Sequence, residues 1–355
     1  MIDFRYHLVS IVAVFLALAI GIVLGSTELQ GTTLDALRGT TLSLKNQLAA
    51  VGAQRDSFEA LSGASDTFLR TAEQRLVNGL LPGDRVVIVT EPGAPAGVIS
   101  GVRQAASLSG ATVTGTVALQ PKFNDLSGAT EANLSAISQE QAAADGSVLG
   151  TGAAAQTVYE QQAAQLIASA VVEPAAGAPG LTAVQAQTLL QAYAQGGYLT
   201  TSGTVTDRAT LAVLVTPGTA PSDGTSDPAD QVLLAVAQQF AAASAAAVVT
   251  GSVAGSAPAA SAVSVLRSSS VSGQVSSVDN ADTTLGQISA VWALASQLAG
   301  QKPNNYGISG ASAVSPVPPP VPSVTPAASG TPTQKTTQKP TRKATGAAAE
   351  TGVSK

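Results

Sequence analysis

The run SVDNADTTLGQ at 277–287 holds the sequence's tightest cluster of hard oxygen donors. Asp279, Asn280 and Asp282 stand close enough together to supply ligands for a hard cation such as calcium or magnesium. The same residues suit a helix start, where Asp282 or Thr283 accepts free backbone amides and acidic charge favours the positive end of the helix dipole. We take the capping reading. A second candidate is TEPGAPAG at 90–97, placed directly after an apolar run. In a doubly wound sheet, such loops at the carboxyl ends of strands hold ligands. This one matches neither GxGxxG nor GxxxxGK[ST], and Pro92 and Pro95 remove amide donors that would cradle a phosphate. Glu91 therefore reads as a loop charge, and nucleotide binding is not expected.

Composition removes most other chemistry. The chain has no Cys, only the initiator Met and a single His, His7. No zinc site or His-dependent triad can be assembled from that inventory. Soft thiolate and thioether ligands, and the imidazoles that suit borderline transition metals, are all but missing. The sequence reads as non-enzymatic, without a cofactor. Of the net charge of −5, the stretch beyond 307 carries +4 and the body −9. An acidic body argues against nucleic-acid binding, which needs a clustered basic face. Aromatics are 3% and apolar residues 45%, largely Ala and Val, so any core must be aliphatic.

The elements that would position these residues begin with MIDFRYHLVSIVAVFLALAIGIVLGST. Leu8 to Leu24 carries no charge and is just long enough to span a bilayer as a helix. Arg5 precedes it and Glu28 is the first charge after it, which keeps the N-terminus in the cytoplasm and exports the bulk. Residues 1–27 read as a retained transmembrane anchor or, alternatively, a signal cut near Leu24-Gly25-Ser26. Retention gives a single-pass cell-membrane protein; cleavage would send it on to the outer membrane. Ala13, Ala17, Gly21 and Gly25 form a small-residue ridge of the kind that lets helices approach closely in lipid.

Residues 28–81 read as a helical stalk. A step of about 3.5 residues places Leu37, Leu44, Leu48, Val51, Phe58, Leu69 and Leu76 on one coiled-coil seam, softened by Arg55, Ser62 and Ser65. The seam predicts a homodimer; the alternative is a helix folded back on the domain beyond residue 81. From 82 to 307 strands and helices alternate, beginning with RVVIVT at 85–90 and ending in a helix at 284–298. Such alternation predicts a mainly parallel, Rossmann-like α/β domain. Residues 308–355, rich in Pro, Thr and Lys, cannot bury a core and read as a disordered basic tail. That tail either lies along an anionic surface or is a solvated terminus.

Three stretches carry a family resemblance: the opening 27 residues, PGDRVVIVTEPGA, and SSVDNADTTLGQISAVWALASQLAGQKPNNYG. Together they resemble the actinobacterial copper transport protein B (MctB) family over residues 1–307. The resemblance implies copper efflux and homeostasis at the cell envelope, by a protein described as an outer-membrane channel; copper enters only as a possible transported ion, with no visible ligand set in this sequence. Relatives are also linked to a membrane complex in envelope growth and division, which implies an envelope protein partner. A membrane barrel needs many segments of about ten alternating residues, whereas this sequence offers buried apolar strands between amphipathic helices. Two functions are open: a component of copper export, or a single-pass scaffold whose stalk and α/β domain bind envelope partners.

Overall fold

The computed structural model describes residues 4–125, 127–145, 158–174, 180–218, 228–252 and 261–309; the side chains of 26–36, 144, 145 and 158 fall outside that description. The tail from 310 onward therefore lies outside the described residues.

Helix α1, Phe4–Val77, runs unbroken through 74 residues, about 110 Å at about 1.5 Å per residue. No proline occurs before Pro82, so no residue deletes an amide from its backbone ladder. The stretches read as anchor and stalk are thus one helix, with no break at 27–28. The helix ends at Val77, earlier than the stalk boundary read at residue 81. Gly79 adopts φ +73, the left-handed conformation that terminates helices, and Val77 and Leu81 are already fully buried in the domain core.

The remaining elements are β1 (Arg85–Thr90), α2 (Ala96–Leu108), β2 (Thr112–Leu119), α3 (Gly128–Asp145), α4 (Val158–Val171), α5 (Ala183–Gln195) and β3 (Leu199–Gly203). They continue as β4 (Leu211–Val215), α6 (Pro228–Ala243), β5 (Ala246–Thr250), α7 (Ala262–Ser268), β6 (Ser276–Val278), α8 (Thr284–Leu298) and β7 (Asn305–Tyr306). The sheet order is β3-β2-β1-β4-β5-β6-β7. Neighbours pair in parallel except β2 and β3, which are antiparallel. The sheet is accordingly mixed. β3 reverses because the chain leaves α5 through Gly196-Gly197 and runs straight back along β2, with Gln120 N donating to Tyr198 O at 2.8 Å. β6 is confined to Ser276–Val278, since Ser270–Gly273 before it coils into a 3-10 turn.

Strand residues are buried on both sides of the sheet, and their period of two sorts them into two cores. Val87, Val89, Val117, Ala212, Leu214 and Val249 face α4, α5 and α6. Val86, Ile88, Leu211, Val213 and Val248 face α2, α8 and the end of α1. Helices cover both faces, as near-continuous apolar strands require.

The last turns of α1 are built into the second layer. Trp292 Nε1 donates to Leu76 O at 3.0 Å, and Gln104 Nε2 donates to Glu73 Oε2 at 3.0 Å. Asp66 Oδ1 accepts the amide of Thr284 at 2.8 Å, so a side chain of α1 caps the first turn of α8. That hydrogen bond, with Arg70 nearby, holds the Asp66 carboxyl below its usual range. Removing a helix cap costs about 1 kcal/mol. Asp66→Ala is expected to lower domain stability by about that amount and to speed hydrogen exchange at the Thr284 amide; unchanged exchange there would count against the cap.

Candidate functional site

Because β1, β4, β5 and β6 run in parallel, their carboxyl ends share one edge of the sheet. Between β1 and β4 the strand order reverses, and α2 and α6 leave toward opposite faces. That is where open α/β sheets form their ligand crevice. Glu91 stands at this point, and it is not the exposed loop charge that the sequence suggested. It follows five buried residues of β1, its amide donates to Val215 O at 2.9 Å, and only 7% of it remains exposed. Its Oε1 has no hydrogen-bond partner. Burial, and then the negative charge of Asp230 in the first turn of α6, push its carboxyl up to about 8. Glu91 is therefore mostly a neutral acid at pH 7, carried inside by the strand it ends. The warning lay in its position directly against a run of six strand residues.

The second candidate cluster comes apart. Thr283 caps α8, its Oγ1 accepting from Gly286 N at 3.2 Å, while Asp282 is exposed. Gly286 is required there, because a Cβ would lie 2.0 Å from Asn280 O. Asp279 does neither task. It is fully buried and pairs with Arg267 Nη1 at 2.7 Å, while accepting the amides of Ile308 at 2.8 Å and Ser309 at 2.9 Å. Burial raises the Asp279 carboxyl, but hydrogen bonds from Ser309, Ile308 and Arg267 outweigh it and hold the group below its usual range. Arg267 also donates to Tyr306 O at 2.7 Å and Ser277 Oγ at 2.9 Å. The network is a latch that fastens β7 and Ser309 to β6 and α7. Among the described residues no group of three His, Cys, Asp or Glu side chains could hold a metal ion.

The largest exposed apolar surface is on α1. Leu37, Leu44, Leu48, Val51 and Phe58 are each 55–66% exposed. Further down the seam, Leu69 is half-buried and Leu76 packs against the α2–α8 layer. The ridge residues Ala13, Ala17, Gly21 and Gly25 are also exposed. Ala17 and Gly21 stand about seven and a half turns above Leu44 and Leu48, at about 3.6 residues per turn. Ridge and seam therefore lie on opposite faces of one helix, and a straight two-helix contact can use only one of them.

Comparison with known proteins agrees over nearly the whole chain. A family model described as "Copper transport outer membrane protein, MctB" matches residues 1–318. A curated protein of Mycobacterium tuberculosis, "Copper transporter MctB", is 32% identical over 323 residues, covering 89% of this chain and 98% of its own length. Its counterpart in Mycobacterium leprae is 29% identical over 325 residues, covering 89% and 99% respectively.

The two buried carboxyls have opposite effects on stability. Glu91 has its native value raised, so its contribution is fully present below the ordinary value of 4.5 and is lost as pH climbs toward about 8. Between those limits the native state should weaken by roughly 3 kcal/mol at pH 7 relative to low pH. Thermal melts of Glu91→Gln should lose that slope; a wild-type slope retained in the variant would contradict the buried acid. Asp279 works in the opposite sense, contributing above the unfolded carboxylate value and losing it on acidification. Asp279→Ala leaves the Arg267 guanidinium, only 11% exposed, without its carboxylate, which costs about 3–5 kcal/mol. Denaturant titration at pH 7 checks this, and a loss under about 1 kcal/mol would show the latch to be incidental.

Proposed function

Since the chain belongs to the MctB copper-transport family, we propose that it acts in copper efflux and homeostasis at the cell envelope, as a membrane-anchored, non-enzymatic scaffold. The observation that carries this reading is α1. Its first part, Phe4–Gly25, has a mean hydropathy of 2.9 and is unburied, and the same helix continues into the α/β domain. In this reading the segment is retained as a single-pass anchor, with the N-terminus in the cytoplasm and the bulk exported, as Arg5 before it and the exported acidic body favour. The exposed seam then pairs two copies as a parallel coiled coil, and each α/β domain meets an envelope protein partner. The strand order about β1 and β4 supports a Rossmann-like arrangement for that domain.

Copper is the cargo of the system in this proposal. With no Cys, one Met and one His, the chain lacks the soft ligands that a copper relay uses. Its described strands also have at most eight residues, and β1, β4, β5 and β6 are buried between helix layers, unlike lipid-facing strands of about nine to eleven. The scaffold therefore supports export by holding a partner at the membrane.

A strain deprived of this protein should lose copper tolerance. The wild-type gene should restore it, and Leu48→Pro, which breaks the stalk, should not. Unchanged tolerance on deletion would remove the copper role. Calorimetry with copper on the purified full chain should show no binding tighter than micromolar; specific tighter binding would overturn the indirect role. Mass spectrometry of the inner-membrane protein should find Met1 or Ile2 at its N-terminus, whereas a start near Thr27 would establish a cleaved signal.

A further inference from the structure

The seam and the domain joint occupy the same face of α1. Leu48, Val51 and Phe58 each stand about five whole turns above Asp66, Leu69 and Leu76, at about 3.6 residues per turn. The lower three are engaged by the chain's own domain: Asp66 caps α8, Leu69 is half-buried, and Leu76 packs into the α2–α8 layer. Paired helices lie about 8–10 Å apart, which leaves no room for α2 and α8 between them. A coiled coil running the length of the seam is thus incompatible with the joint at its base.

We infer that a paired stalk forks: two copies of this chain meet through Leu37, Leu44, Leu48, Val51 and Phe58, and their helices part before Asp66. The inference rests on the paired stalk proposed above. The occupant of the upper stripe is a second copy because anchors in one membrane set every copy's stripe parallel and at the same height. The stripe also continues the apolar face that already packs on α2 and α8. Five side chains more than half exposed on each copy, with their flanks, would remove on the order of 1,000 Å² in total, near the lower bound for a specific pair.

Ser62, Gly63, Ala64 and Ser65 stand where the parting must occur. Ser and Gly are weak helix formers, and a Cβ at Gly63 would meet nothing within 4 Å, so this turn has no packing to hold it straight.

The absence of cysteine makes thiol cross-linking of the full chain in membranes selective. Leu44→Cys and Val51→Cys should join two copies through a short bismaleimide. Ser65→Cys, an exposed seam position that a monomaleimide can confirm as reactive, should join them about tenfold less. Spin labels at Gln47→Cys and Arg75→Cys should give a short and a several-fold longer separation. Equal cross-linking at all three positions, with similar label distances, would overturn the fork and leave the paired stalk standing. No cross-link anywhere, together with a monomer in sedimentation, would overturn the paired stalk itself.

Discussion

The contact between the last turns of α1 and the pair α2–α8 fixes everything above and below it. α1 has no proline and no loop within it, so the direction taken by the apolar end is set wherever the other end is held. Three unlike interactions hold it: a carboxylate on a helix amide, an indole on a carbonyl, and an amide on a buried carboxylate. The last is under tension, because burial raises the Glu73 carboxyl and Gln104 lowers it again. A flexible tether would let anchor and domain move independently. Here α1 from Asp66 onward turns as one body with the domain.

The domain itself depends on aliphatic strands that bury both faces. With so few aromatics, core volume is filled by Val, Ala and Leu from β1, β4 and β5 against helices on each side. Larger side chains sit at particular corners: Phe123 meets Tyr198 edge-on at 6.4 Å, and Tyr193 hydroxyl lies 2.9 Å from Ser138 Oγ. At two strand ends a carboxyl group is drawn inside, where Asp279 found a full set of donors and Glu91 did not. The same burial has opposite electrostatic results because the neighbours differ: Arg267 beside one, Asp230 beside the other.

Much of this was legible in the sequence. β1 at 85–90 and α8 at 284–298 appear where patterning put them, because a run of buried β-branched residues and a Thr-capped apolar helix are local signals. The long helix was legible too, in the absence of breakers. What escaped were relations between distant segments. Asp66 capping a helix 218 positions later has no sequence signature, nor does Arg267 closing on Asp279 and the backbone of Tyr306 and Ser309. β7 is a two-residue strand, too short to leave a pattern. Glu91 was misjudged because Pro and Gly after it spoke of a loop, while its own position was set by the strand before it. The seam read as continuous because period alone cannot say whether a partner helix or the chain's own domain will occupy a face.

Trp292 gives the joint an optical identity. It is the chain's single tryptophan, and its indole N–H is tied to the backbone of α1 at Leu76. Excitation at the red edge of the near ultraviolet, where tyrosine no longer absorbs, therefore illuminates one place only in the purified protein, the junction where the long helix meets α8. Emission colour and quenching there report whether that junction is dry and closed, without any attached dye, in detergent, in vesicles or in cells enriched for the protein. A molecule whose long helix meets its domain at this joint carries its own reporter there.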